Sequence, residues 1–449
     1  MNAILKNTKT NRNPFILFLP FLIVYIVIIL IFAKAEFTGD EARYMLYAKN
    51  LTHGFYTLPA PYLDLGNGPG YSLLLTSFVA LKLPLIFLKL MNAVFYYLSV
   101  VFIFKSLQQI VGFKPAVIFS AIWALYPNTF EQLPYLLPEV FASSLIPLII
   151  FFLIKAFKND NTKKINKYLI YTGLALGYLA LTKPIFGYVL IFMIAGAFLL
   201  WIINSANLNY KKSMILLTTA FIITSPWLFY TYHLTGKILY WSSYGGNNLY
   251  WMSSPYENEY GNFTEYPFDT TDNKYMLQGS AKQIKLNHEK DFEQILENKD
   301  AQKLYIKDGT VIGYPYTGLI QDTILKRIAF QNIKSHPLKF IQNCFSNVGR
   351  MIFNYPADYT IQKPSTLLRL PVNGTIIVFV VFSFVLTLSN WRKITFSIRF
   401  LLLMGLIYFC GSILGSAGPR MFTIIVPILL IWIAFVISKS VKIKMDWQN

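Results

Sequence analysis

Apolar residues in this chain do not alternate with polar ones. They run in long blocks, at about residues 14–34, 88–108, 115–128, 138–156, 168–183, 186–203, 213–233, 371–389, 397–416 and 420–438. A hydrocarbon layer ~30 Å thick is crossed by about 20 apolar residues in a helix, so the pattern predicts an all-α polytopic membrane protein with about 10–11 transmembrane helices. One further stretch, Tyr71–Leu85, is apolar but short, at about fifteen residues. We read it as re-entrant or lying on the outer face; if it crosses, the parity is restored elsewhere, at 115–128. Between the seventh and eighth blocks the pattern breaks. Residues 235–370 open on a Gly- and aromatic-rich stretch, Tyr240–Trp251, and become charged and helix-like at Lys282–Lys307. They turn amphipathic at Thr323–Phe353, where Ile324, Ile328, Phe330, Ile333, Phe340 and Phe345 recur at helical intervals. Three pieces are expected: a membrane module at 1–234 with a sizeable outer loop at 35–87, a small, mostly helical outer domain at 235–370, and closing helices with a cytoplasmic tail at 371–449.

Composition sharpens the class. With 55% hydrophobic and 14% charged residues, and a mean hydropathy of +0.46, a soluble fold is excluded. The net charge of +19 invites a nucleic-acid reading, but its distribution argues against one. Basic residues concentrate in alternate inter-block segments: Lys6, Lys9 and Arg12; Lys105 and Lys114; Lys155 to Lys167; Lys211 and Lys212; Arg392, Lys393 and Arg399; Lys439 to Lys444. Segment 235–370 is nearly balanced, with fifteen basic and thirteen acidic residues. This is the positive-inside bias, so the charge reports orientation. It places both termini in the cytoplasm and the chain in the plasma (inner) membrane, with the first block as an uncleaved anchor. The two cysteines, Cys344 and Cys410, fall in different environments, which excludes a thiolate metal site and argues against a disulfide. The four histidines are scattered without metal-ligand spacing. No cofactor is indicated, although a carboxylate-bound divalent ion remains compatible with the sequence.

Ionisable groups beside a bilayer are functional candidates. The foremost are Asp40 and Glu41, in Phe37-Thr38-Gly39-Asp40-Glu41-Ala42-Arg43-Tyr44, just past the first block. Adjacent carboxylates cannot share a helix face, so they point to different partners; the same residues also suit a helix cap. Arg43 and Tyr44 follow, the arginine as a natural ion-pair partner of the acids. Gly66-Asn67-Gly68-Pro69-Gly70-Tyr71 is a glycine-rich bend whose amides could approach a phosphate, or a plain turn. Glu139 opens the 138–156 block, as a helix-dipole charge or as part of a shared cavity with Asp40; Glu131 and Asp64 are weaker candidates of that kind. Lys183, before Pro184, and Arg420, in the turn Gly418-Pro419-Arg420, are cations held on the outer side against the charge bias. Such cations suit an anionic headgroup such as a phosphate, while Lys183 can also snorkel to the interface.

Taken together, these motifs resemble the GT-C glycosyltransferases, in the branch of the protein O-mannosyltransferases and the lipid A aminoarabinose transferases (ArnT-like). The resemblance rests on Gly39-Asp40-Glu41-Ala42-Arg43-Tyr44, Gly68-Pro69-Gly70-Tyr71, Leu137-Pro138-Glu139, Leu181-Thr182-Lys183-Pro184 and Ser225-Pro226-Trp227 with Gly245–Tyr250, in that order. Ser335-His336-Pro337 and Gly418-Pro419-Arg420 with Pro427 complete the series. It implies an inverting membrane enzyme that moves a hexosyl or pentosyl unit from a polyprenyl-phosphate donor to a lipid, glycan or protein acceptor at the outer face. Asp40 would then be the catalytic base with Glu41 in support, and Arg420 would help hold the carrier phosphate; Arg43, Tyr44, Glu139 and Lys183 would line the substrate site. Two positions depart from the common family pattern: Gly66-Asn67-Gly68-Pro69 stands where relatives carry a basic residue before a double proline, and Met421 where they carry tyrosine. A transporter or lipid flippase using the acids as a relay is the alternative. That class shows inverted repeats and helices interrupted at mid-bilayer, and this sequence shows no repeat and gathers its acids at block ends. A non-catalytic assembly subunit would leave the outer acids and cations without a purpose.

Overall fold

The computed structural model describes residues 13–59, 63–158, 162–264, 280–296, 306–307, 310–311, 318–356 and 364–440. The tails carrying Lys6, Lys9, Arg12, Lys442 and Lys444 lie outside them, as do parts of the 235–370 segment. The first apolar block is a rod in two pieces, α1 (Pro14–Leu17) and α2 (Leu19–Phe32), with Asn13 capping its start at 3.0 Å from the Phe15 amide. Two short helices follow, α3 (Glu41–Thr52) and α4 (Pro69–Ala80). The chain then continues through the long rod α5 (Leu85–Ile110), the short helices α6 (Phe113–Ala124) and α7 (Pro127–Gln132), and the long rods α8 (Pro138–Lys158), α9 (Thr162–Thr182), α10 (Ile185–Ile203) and α11 (Leu208–Thr235).

Segment 235–370 contributes α12 (Gly245–Met252), α13 (Ser280–Leu296), a two-stranded hairpin of β1 (Ile306–Lys307) and β2 (Thr310–Val311), α14 (Leu319–Ser335) and α15 (Pro337–Phe353). Three rods close the fold: α16 (Pro364–Ser389), α17 (Phe396–Ile413) and α18 (Pro419–Ser440). Among the described residues seven helices, α5, α8, α10, α11, α16, α17 and α18, are long and apolar enough to cross a membrane. The chain is a multi-pass membrane protein and its described residues are nearly all helical.

The structure refines three expectations. In the charged stretch Lys282–Lys307, α13 covers the residues up to Leu296, Ile306–Lys307 is a strand, and 297–305 lies outside the described residues. The amphipathic stretch 323–353 splits into α14 and α15 at His336-Pro337, because Pro337 has no N–H to continue the ladder and instead opens a new helix. The 115–128 block yields only the twelve residues of α6, about 18 Å of helix, and Pro127 restarts the chain as α7. The short stretch after Tyr71 also forms a twelve-residue helix, α4, too short to span.

Helices α8 and α18 form the buried centre, α8 packing against α5, α9 and α18. Some polar groups inside this apolar body are tied to one another between helices, as hydrocarbon surroundings favour. Tyr25 Oη donates to the Ala124 carbonyl at 2.8 Å, and Trp123 Nε1 to Ser99 Oγ at 2.8 Å. Helix α4 lies hard against the C-terminal end of α9. A Cβ on Gly68 would fall 2.1 Å from the Leu181 carbonyl oxygen, and one on Gly70 2.6 Å from Thr182 Oγ1. The glycines of the Gly66–Gly70 bend therefore serve close backbone packing against the turn that carries Lys183.

Candidate functional site

Asp40 and Glu41 sit at the start of α3, and their side chains point apart. Glu41 turns inward. One carboxylate oxygen accepts from the Thr38 amide at 2.7 Å and from Thr38 Oγ1 at 2.8 Å; the other accepts from the Leu136 amide at 2.7 Å and lies 3.2 Å from Lys89 Nζ. Both members of the Glu41–Lys89 pair are fully buried, and Lys89 Nζ also donates to the Lys34 carbonyl at 3.0 Å. Glu41 thus takes both the amide and the hydroxyl of Thr38 and stitches the first loop to the α7–α8 connection.

Asp40 turns the other way. Oδ1 accepts from Arg43 Nη2, one helical turn on, and Oδ2 accepts from Arg420 Nη1 at 2.9 Å, across 380 positions of sequence. Arg420 Nε lies 3.4 Å from Glu139 Oε1, and that oxygen also accepts from Lys183 Nζ at 2.7 Å. The ends of α3, α8, α9 and α18 therefore meet in one alternating array of charges: Arg43, Asp40, Arg420, Glu139, Lys183. Two carboxylates and three cations leave it one positive charge in excess. Glu139 is buried, while the Asp40 and Arg420 side chains keep 28% and 42% of their surface open. Burial raises the Asp40 carboxyl, but the Arg420 and Arg43 guanidiniums, with a smaller pull from Lys183, outweigh it and hold the group below its ordinary value of 3.8.

Arg43 also lies over the Tyr244 ring, 5.1 Å from its centre, which ties the cluster to the start of the 235–370 segment. Tyr44 is buried beneath it; its hydroxyl donates to Asn67 Oδ1 at 3.3 Å and its ring meets Tyr71 edge-on at 5.3 Å. Glu131 stands apart, paired with Arg369 on α16, whose Nε donates to Asn128 Oδ1 at 2.6 Å. Asp64 is buried and accepts from the Gly66 amide at 2.9 Å within its own loop. Among the described residues, no three His, Cys, Asp or Glu side chains converge as a metal site.

The structure thus gathers Asp40, Arg43, Glu139, Lys183 and Arg420 in one array, places Tyr44 beneath it, and sets Glu41 behind it. Sequence reasoning missed the partners that hold these groups. Lys89, one of the few basic residues on the outer side, was not foreseen as the partner of Glu41. The Thr38-x-x-Glu41 spacing was the available signal for Glu41, since it is the capping-box pattern. Asn67 was legible only as part of the glycine-rich bend and not as a partner of Tyr44.

The sequence model of the dolichyl-phosphate-mannose-protein mannosyltransferase family matches residues 67–230, and no curated protein matches the chain. The archaeal oligosaccharyltransferase AglB from Archaeoglobus fulgidus, solved with an inhibitory peptide and a dolichol-phosphate, matches with a TM-score of 0.50 and 12% identity. That match covers 94% of this chain and 50% of AglB. ArnT from Cupriavidus metallidurans, bound to undecaprenyl phosphate, matches at 11% identity and a TM-score of 0.42, over 95% of this chain and 78% of that one. The chain is therefore a membrane protein of GT-C fold that is similar, across residues 67–230, to the dolichyl-phosphate-mannose-protein mannosyltransferases.

Proposed function

We propose that the protein is an inverting glycosyltransferase that moves a sugar from a polyprenyl-phosphate carrier to an acceptor hydroxyl at the outer face of the membrane. The observation that carries this reading is the Asp40–Arg420 contact at 2.9 Å, inside an array that holds a carboxylate base and phosphate-binding cations together. In the reaction the acceptor oxygen attacks the anomeric carbon from the side opposite the phosphate, and Asp40 takes the hydroxyl proton. The bond from that carbon to the phosphate oxygen breaks, its electron pair stays on the carrier phosphate, and the new glycosidic bond has inverted configuration. A positioned base supplies about 10²–10⁴-fold, and fixed cations at the departing charge act on a comparable scale.

The array also explains how a carboxylate held at low pKa can act as a base. Asp40 and Glu139 occupy Arg420 as a phosphate would. A carrier phosphodiester, with one negative charge, matches the single positive excess and competes for the guanidinium. Once Arg420 turns to the phosphate, Asp40 loses its strongest cationic partner and its basicity rises. Glu139 keeps Lys183 in place beside the phosphate, and Arg43 with Tyr244 forms the side toward the acceptor. Within the GT-C frame this reading gives every member of the array a task. Donor-dependent transfer in membranes containing the protein, from labelled polyprenyl-phospho-sugars presented one at a time, tests it; no transfer above protein-free membranes from any donor would refute it.

A further inference from the structure

Arg420 is useful only where its turn puts it, and that turn cannot shape itself. Helix α17 ends at Ile413, α18 begins at Pro419, and between them runs Leu414-Gly415-Ser416-Ala417-Gly418. These are mostly small residues with little side chain to lock a conformation. The last carbonyls of a helix also lack partners within it. The turn is held from outside, by two buried side chains on α15.

Asn347 Nδ2 donates to the carbonyls of Ser412 at 3.1 Å, Ile413 at 3.1 Å and Gly415 at 2.7 Å. Its Oδ1 accepts from the Ala417 amide at 3.2 Å and from Arg350 Nη2 at 2.7 Å. Arg350 Nε donates to the Ala417 carbonyl at 3.0 Å, and the rest of its fork reaches the carbonyls of Tyr260 at 2.8 Å and Gly261 at 3.0 Å. Asn347 is fully buried and Arg350 is 2% exposed. A buried guanidinium is tolerated only where its donors are placed, and this one ends three residues before Arg420. The Ser416 amide adds a 3.3 Å bond to the Asn248 carbonyl on α12.

We propose that Asn347 and Arg350 are positioning residues for Arg420: they fix the α17–α18 turn so that the guanidinium is presented to the carrier phosphate. The inference rests on the glycosyltransferase reading for its consequence, but not for its structural part. Since Arg350 also binds the Tyr260 and Gly261 carbonyls, it ties that backbone to the turn that carries Arg420.

The test uses the full-length protein in lipid nanodiscs. Asn347→Asp keeps side-chain volume and the Oδ1 acceptor but removes the three Nδ2 bonds; Arg350→Lys is the second variant. Hydrogen–deuterium exchange should quicken at residues 414–421 in Asn347→Asp while α8 keeps its protection. Unchanged exchange in the turn, or a rise spread evenly through the chain, would overturn the proposal. In transfer assays Asn347→Asp should raise the donor KM by about tenfold with a smaller change in kcat. Combined with Arg420→Gln it should add nothing further, because it acts through that residue; losses that add would overturn the positioning role. If the wild-type protein transfers from no donor, the glycosyltransferase reading fails, and the exchange measurement still decides whether Asn347 holds the turn.

Discussion

Replacing Arg420 by glutamine changes two things at once, and their signs can be worked from the structure. The guanidinium touches Asp40 at 2.9 Å and Glu139 at 3.4 Å, and its side chain is 42% exposed. Neither acid is stranded by its loss: Asp40 keeps Arg43, and Glu139 keeps Lys183 at 2.7 Å. The fold should therefore lose no more than about 1 kcal/mol, the scale of a partly exposed pair. Transfer should suffer far more. Removing one donor at a developing charge typically lowers rate by about 10²–10³, or ~2.7–4 kcal/mol. The second effect is on pH. Arg420 is the largest influence holding the Asp40 carboxyl down against burial. Without it the group titrates higher, and because the base must be ionised, activity is lost at a higher pH as the solution is acidified. The assay is kcat/KM for a labelled polyprenyl-phospho-sugar across the acid range, with wild type and variant at equal folded concentration. Wild type should hold its kcat/KM to the lower pH and the variant should show an acid limb moved upward. An unmoved limb together with unchanged donor dependence would refute the placement of Arg420 between base and phosphate.

Other variants probe the supports of the site. Glu41→Gln leaves Lys89 charged and buried without its counter-ion, so the midpoint of thermal unfolding in detergent should fall, by a loss on the order of 3–5 kcal/mol; an unchanged midpoint would mean the pair is not structural. Gly70→Ala puts a methyl carbon 2.6 Å from Thr182 Oγ1 and 2.7 Å from the Thr182 amide nitrogen. It should lower the midpoint by about 1–3 kcal/mol of overpacking and weaken donor use through the neighbouring Lys183. Full stability and full turnover would show that α4 moves away at no cost.

Much of this fold was legible in apolar block length. The block at 88–108 became α5 (Leu85–Ile110) and that at 138–156 became α8 (Pro138–Lys158), because hydropathy over about 20 residues reports a physical thickness. The shortness of the stretch after Tyr71 matches the twelve residues of α4, fewer than a span needs. What hydropathy could not show was interruption by proline, which cut 115–128 at Pro127 and 323–353 at Pro337. In the charged 282–307 stretch the helical composition matches α13 as far as Leu296, and Ile306–Lys307 is a strand that composition did not show. At the site, Asp40, Glu139, Lys183 and Arg420 were legible as charges at block ends. Their pairing was not, because Asp40 and Arg420 are 380 positions apart and nothing local links them. The inward turn of Glu41 was written in its spacing from Thr38, while the Asn347–Arg350 frame is spent on backbone carbonyls, which leave no trace in side-chain patterns.

The central claim is that Asp40 accepts the acceptor's proton. Asp40→Asn keeps the shape and one hydrogen-bonding oxygen but removes the base. The decisive measurement is single-turnover transfer from a saturating labelled polyprenyl-phospho-sugar by folded Asp40→Asn protein, alongside its affinity for the carrier. The account predicts a rate lower by about 10²–10⁴-fold with carrier binding retained through Arg420 and Lys183. A rate within a few-fold of wild type would contradict it.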